Sequence, residues 1–110
     1  TQVVSEIAKL YRSHRTVDEG YNSKDNFDIY RLKVQNVLIG TSPAQVAEWV
    51  ARAQQDKTWL ILVYHKVGTT SLGAYDSYSS DFDQHLASIQ AANIPVQTVN
   101  QALNEILPQL

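Results

Sequence analysis

The chain has no cysteine among its 110 residues. That excludes disulfide crosslinks, thiolate nucleophiles and cysteine-ligated zinc. It leaves the compartment open, because an exported protein can lack cysteine as easily as a cytosolic one. No apolar run approaches the ~18 residues that read as a membrane span. The opening Thr1-Gln2-Val3-Val4-Ser5-Glu6 lacks the basic-then-apolar pattern of a signal segment. Basic residues are scattered and the formal net charge is −2, so the electrostatic footprint of a nucleic-acid binder is missing. Internal repeats, low-complexity tracts and linker-like stretches are absent as well. What is there, at 44% hydrophobic, can build one domain with a small core, and residues 1–110 read as a single unit.

Helices and short extended segments alternate along that unit. Val4, Ile7, Ala8 and Tyr11 keep helical spacing over residues 2–11. A short extended piece is expected at 13–17, then a polar connection from Gly20 to Asp28. A second extended segment carries Leu32, Val34, Val37 and Leu38. Ser42-Pro43-Ala44-Gln45 reads as a helix start, with a capping serine, proline in the first helical position and a glutamine placed to close a capping box. That helix sets Val46, Trp49, Val50 and Ala53 on one face and runs to about Lys57. Ser80 is expected to cap a further helix with Phe82, Leu86 and Ile89 inward. Asn93 suits a left-handed cap, and Pro95 bars continuation. Residues 95–99 read as a short strand, and Thr98 to Gln101 cap a last helix with Leu103, Ile106 and Leu107 inward. Such alternation argues a parallel α/β architecture. Trp49 and Trp59 fall on apolar faces and are expected in the core.

Between these elements lies the most distinctive stretch, Trp59-Leu60-Ile61-Leu62-Val63-Tyr64-His65. Apolar or aromatic residues run without a break into a histidine, as in strands buried on both faces of a helix-covered parallel sheet. In such sheets the chemistry gathers at the carboxyl ends of the strands. An imidazole there is a candidate acid, base or metal ligand. A polar residue that closes a strand and bonds a nearby carbonyl accounts for His65 equally well. Residues 66–80 follow without an apolar period, whereas α/β connections normally take roughly two to six residues. Tyr75 and Tyr78 give this loop flat rings with hydroxyls, suited to stacking on sugars or bases. Arg15 is a second candidate for substrate contact, with a surface ion pair to Asp18 or Glu19 as its structural alternative. His14 reads as structural, His85 as solvated, and Asp81 and Asp83 as helix-start carboxylates.

At most four strands are legible, two of them short, whereas an α/β barrel takes about 200 residues or more. Open edges and a half-covered core would result. The chain therefore reads as the latter part of something larger, with 60–63 covered by a second copy or by the missing portion.

Three stretches carry a family resemblance. They are Leu60-Ile61-Leu62-Val63-Tyr64-His65-Lys66-Val67, then Phe82 and Leu86, then Ala92-Asn93-Ile94-Pro95-Val96-Gln97-Thr98-Val99. Together they resemble the end of a polysaccharide deacetylase, the NodB-homology carbohydrate esterases. Tyr11-Arg12-Ser13-His14-Arg15-Thr16-Val17-Asp18-Glu19-Gly20-Tyr21-Asn22 is similar to the branch that carries Arg-Thr before Gly-Tyr-Asn. The resemblance implies an α/β fold, the C-terminal part of a distorted (β/α) barrel of the polysaccharide deacetylase type. It implies hydrolysis of N-acetyl or O-acetyl groups on a polysaccharide substrate, at the cell surface, in the periplasm or outside the cell. Carried over by position, His65 is the general acid and Val63 the apolar residue of the acetyl-methyl pocket. The divalent metal, commonly zinc, is held in that family by one aspartate and two histidines. No Asp-Asp or His-Ser-x-x-His occurs here, so its ligands and the base are expected outside this chain. The family's Asp-x-x-Asp-Trp segment is also missing near Arg15, so no partner orienting His65 is assigned. The alternative is a non-catalytic carbohydrate-binding or interaction module of the same fold.

Overall fold

Thr1 caps the first helix, α1 (Gln2–Leu10), by accepting from the Val4 N–H at 3.3 Å. The computed structural model describes residues 1–110. None of the α1 residues is buried. The helix is tied to the body through its exit: Arg12 donates to Asn100 and, at 2.8 Å, to Asn104 Oδ1. The chain then forms β1 (Arg15–Glu19), β2 (Leu32–Asn36), α2 (Pro43–Asp56) and β3 (Leu62–Val63). A second pair of short strands follows, β4 (Val67–Gly68) and β5 (Ser77–Tyr78), and then α3 (Ser79–Ala91) and α4 (Val99–Ile106).

The first three strands form one parallel sheet in the order β1-β2-β3, and β4 pairs with β5 in parallel beside it. This is an α/β fold with parallel strands. The sheet is open and does not close into a barrel.

β2 is its centre. Leu32 and Val34 are buried on one face and Gln35 and Val37 on the other, as strand alternation requires. The burial on both faces expected for residues 59–65 belongs to this strand instead. Within 59–65, only Leu62 and Val63 join the parallel ladder, Trp59 makes an isolated antiparallel bridge to Asn22, and Leu60, Ile61 and Leu62 stay half-exposed. The reason is positional: β3 is the last strand of the sheet and nothing lies beyond it. Only 13 of 110 residues are buried. The radius of gyration is 15.0 Å, against about 13 Å for a well-packed domain of this length.

Local chemistry explains most element boundaries. Ser42 Oγ accepts from the Gln45 N–H at 3.1 Å with Pro43 in the first turn, and Lys57 ends α2 in the left-handed region with φ 55°. Thr98 and Gln101 complete a reciprocal capping box on α4. Asn93, φ 54°, turns the chain out of α3. Between β1 and β2 the work falls to Gly20 and Asn22. Gly20 takes φ 155°, and a Cβ there would stand 2.7 Å from Lys33 Cδ. Asn22 is buried; its amide nitrogen donates to the Lys33 and Trp59 carbonyls, and its oxygen accepts from the Lys33 N–H at 2.9 Å.

Other expectations are corrected. Residues 95–99 form no strand, because no sheet edge reaches them and Pro95 has no N–H to give. Tyr78, not Ser80, stands at the start of α3, with no side-chain cap. Trp49 and Trp59 are half-buried rather than core. Leu86 is 47% exposed and Leu107 36% exposed; α3 turns Leu86 toward the uncovered side of β3, and Leu107 lies past the end of α4.

Candidate functional site

β3 ends at Val63, in register with Asn36 at the end of β2, and the Val37 N–H donates to the Val63 carbonyl at 3.0 Å. Val63 is buried. The next two side chains diverge. The Tyr64 ring meets Phe82 of α3 edge-on, centroids 4.9 Å apart at 82°, and its hydroxyl lies 2.9 Å from His85 Nδ1. His65 is exposed, two residues past the carboxyl end of the strand, and meets the ring of Tyr75 at 5.8 Å and 64°.

Tyr75 is held there by a built loop. The Asp76 carboxylate accepts from the Gly73 N–H at 2.8 Å and the Lys66 N–H at 3.3 Å, while the Ser77 N–H donates to the Lys66 carbonyl at 2.9 Å. The Ile39 N–H reaches across to the Ala74 carbonyl at 3.0 Å. A segment that reads from sequence as a featureless polar stretch is thus pinned at both ends, with the β4–β5 pairing inside it. Tyr75 itself is 66% exposed, presenting its ring beside His65.

The three histidines have distinct surroundings. His14 Nδ1 is 3.1 Å from the Tyr30 carbonyl, a structural contact. His85, expected in solvent, is 1% exposed. Its face of α3 points inward with Phe82, one turn away, and Leu86 is displaced outward in exchange. Burial pushes the His85 imidazole below its ordinary value, against an opposing pull from Asp81. Burial also raises Tyr64, to about 12. His85 Nε2 is buried with no hydrogen-bond partner.

Arg15 opens β1, aligned with Leu32 at the start of β2. It donates to the Thr16 carbonyl at 3.4 Å and forms no ion pair with Asp18 or Glu19. The structure brings His65, Val63 and Tyr75 to one end of the sheet and leaves Arg15 at the other.

Two hollows flank this edge. A crevice of about 550 Å³ runs over the carboxyl ends of β1 and β2 and the start of α2, lined by Glu19, Asn36, Thr41, Gln45, Trp49 and Ala74 among others. Sequence reading missed Glu19, Asn36 and Trp49 as neighbours. Glu19 and Asn36 close β1 and β2, but the extended segments read from sequence, at 13–17 and through Leu38, end elsewhere and gave no signal for them. A larger groove of about 810 Å³ follows the open side of β3, where Leu60, Leu62, Phe82, Leu86, Val99 and Ile106 face it. His65 lines neither of these two hollows. No three histidine, aspartate or glutamate side chains lie close enough together to hold a metal ion, and no helix is long and apolar enough to cross a membrane.

Fold and site together define an α/β domain of parallel strands with an exposed histidine beyond the carboxyl end of one of them. Comparison with protein-family models, with curated proteins and with solved structures gave no match.

Proposed function

We propose that this chain is the C-terminal portion of a polysaccharide deacetylase barrel and that His65 is its general acid. The observation that carries the reading is the place of His65. It is an exposed imidazole just past a parallel strand that ends on a buried valine, with an exposed tyrosine ring beside it. In deacetylation, water gives up a proton to a base outside this chain and adds to the acetyl carbonyl carbon, giving a tetrahedral alkoxide. Collapse of that intermediate breaks the C–N bond and releases acetic acid. The departing sugar nitrogen must take a proton at that moment or the intermediate reverts, and His65 as imidazolium supplies it from a ring N–H. Val63 forms the apolar floor under this position, and Tyr75 offers a ring face to the sugar. Arg15, at the far end of β1, touches no reacting atom in this reading.

The residues present do not fit the divalent metal that the resemblance implies, because no cluster of three donors exists here. The steps assigned to His65 are therefore limited to proton delivery. The uncovered groove beside β3 is, in the same reading, the face on which the remainder of the barrel or a second copy packs.

The test is acetate release by the protein that contains this chain, offered acetylated chitin, peptidoglycan, xylan and poly-N-acetylglucosamine oligomers. His65→Ala is expected to lower turnover by about 10²–10⁴-fold with an unchanged circular dichroism spectrum. No release by the parent protein, or equal turnover in the variant, overturns the proposal. The crevice supports a second reading, carbohydrate binding without turnover. Trp49 gives it a ring, and Asn36, Gln45 and Glu19 give donors and acceptors for sugar hydroxyls. Oligosaccharide binding with no acetate released selects that reading.

A further inference from the structure

We propose that Tyr64 and His85 form a positioning device for His65, engaged only while His85 is uncharged. This rests on the general-acid reading for its catalytic meaning, although the device itself is structural.

Tyr64 and His65 are consecutive, yet their rings go to different elements, Tyr64 onto α3 and His65 onto the loop at Tyr75. Neighbouring side chains of an extended segment point to opposite sides, so fixing the Tyr64 ring fixes the direction of His65. The pairing of β3 stops at Val63 and resumes only at Lys66, whose N–H and carbonyl bond Asp76 and Ser77 ahead of the β4–β5 pairing, so Tyr64 and His65 lie between two held stretches. Within that short gap the Tyr64 hydroxyl on His85 and the Tyr64 ring on Phe82 set which way the side chains turn. His65 itself makes no hydrogen bond through its ring, whereas the other two imidazoles do.

The bond also has an inbuilt condition. His85 is 1% exposed, and its contact to Tyr64 is the single hydrogen bond its side chain makes, Nε2 having none. A neutral imidazole has one acceptor and one donor nitrogen. With Nδ1 accepting from the Tyr64 O–H, the ring is held and only Nε2–H goes unpaired. A second proton turns Nδ1 into a donor, so the contact persists only with the Tyr64 oxygen accepting and its O–H left without a partner, and it places a charge in a buried site beside an unpaired Nε2–H. Two titratable groups face the ring. Asp81, one turn earlier on α3, favours the charged form, and Tyr64 on the β3 side is neutral. Burial outweighs Asp81. Acid therefore works against the seated ring through its burial and through the unpaired Nε2–H.

The experiment uses the 110-residue chain and needs no substrate. Nuclear Overhauser contacts between the His65 and Tyr75 rings are followed from about pH 7.5 down to about pH 5, a range that spans the ordinary titration of histidine. The wild-type contacts are expected to fade in the acid half of that range. His85→Asn places an amide oxygen near the Nδ1 position without a titrating group, and it is expected to keep them throughout. Tyr64→Phe, which keeps the ring and removes the hydroxyl, and His85→Leu are expected to lack them at every pH. Contacts that persist in Tyr64→Phe or in acidified wild type, or that fade in His85→Asn at the wild-type pH, overturn the proposal. If His85→Leu does not fold, Tyr64→Phe decides. Because no turnover is read, an inactive parent protein would sink the deacetylase reading and leave this result standing.

Discussion

Asn22 and Trp59 exchange backbone hydrogen bonds in both directions, Asn22 N–H to the Trp59 carbonyl at 3.1 Å and Trp59 N–H to the Asn22 carbonyl at 2.9 Å. The Asn22 amide adds a third bond to the same carbonyl and two more to the Lys33 backbone. One buried side chain thus joins the entries of β2 and β3, which the short pairing of β3 alone would not hold.

Replacing Asn22 by leucine leaves the Lys33 N–H and carbonyl without their partners in a buried position. We expect a loss of about 2–3 kcal/mol in unfolding free energy, the usual cost of stranding buried backbone groups. Urea denaturation monitored by tryptophan fluorescence measures it. A midpoint equal to wild type would show that the amide network contributes nothing.

Stability is expected to fall at both pH extremes for identifiable reasons. The folded state holds His85 below its ordinary value through burial. The unfolded chain therefore binds the extra proton first, and stability declines as pH drops below about 6.5. Tyr64 is raised from 10.0 to about 12, so its contribution is complete below pH 10 and fades as pH climbs toward 12. Urea midpoints across pH read both limbs. His85→Asn should flatten the acid limb, and Tyr64→Phe the alkaline one. An unchanged acid limb in His85→Asn would assign it to carboxylates instead.

The groove beside β3 should drive association of the isolated chain. Leu86 is 47% exposed there, and replacing it with lysine sets a charge in the apolar contact without disturbing the core. Light scattering is expected to show a wild-type dimer or larger species and a smaller species for Leu86→Lys. A monodisperse wild-type monomer with cooperative unfolding would mean that α1 and α4 close the domain unaided.

Zinc titrated into the 110-residue chain should give no tight one-to-one site, since no donor triad is assembled. Calorimetry checks this. Stoichiometric tight binding accompanied by acetate release would place the metal within this chain and contradict the carried-over assignment.

The helix starts at Ser42 and Thr98 and the left-handed Asn93 were legible because each depends on chemistry within a few residues. The order of α1, β1, β2, α2, β3, α3 and α4 was legible for the same reason, whereas β4 and β5 were not read and the strand expected at 95–99 is missing. His85 was not legible either. Phe82, Leu86 and Ile89 suggest one inward face of α3, but Phe82, His85 and Ile89 share helical spacing equally well. Only the packing of Tyr64 onto α3 decides which wins. Residues 59–65 misled in the other direction, since an apolar run cannot distinguish a central strand from an edge whose cover is another segment. The position of His65 past the strand end could be read, while its pairing with Tyr75 depends on Asp76 and Lys66 folding the loop back.

The succession β1-β2-β3, each strand laid against the one before it, also bears on how the sheet assembles. Each pairing of this sheet joins neighbouring strands along the chain, but being parallel each must first close a crossover, residues 20–31 for β1–β2 and residues 37–61 with α2 for β2–β3. The sheet can grow like a row extended at one end, with the residues around Asn22 binding each new addition to the last. Its growing end is β3, and growth stops there with an edge still able to accept another strand.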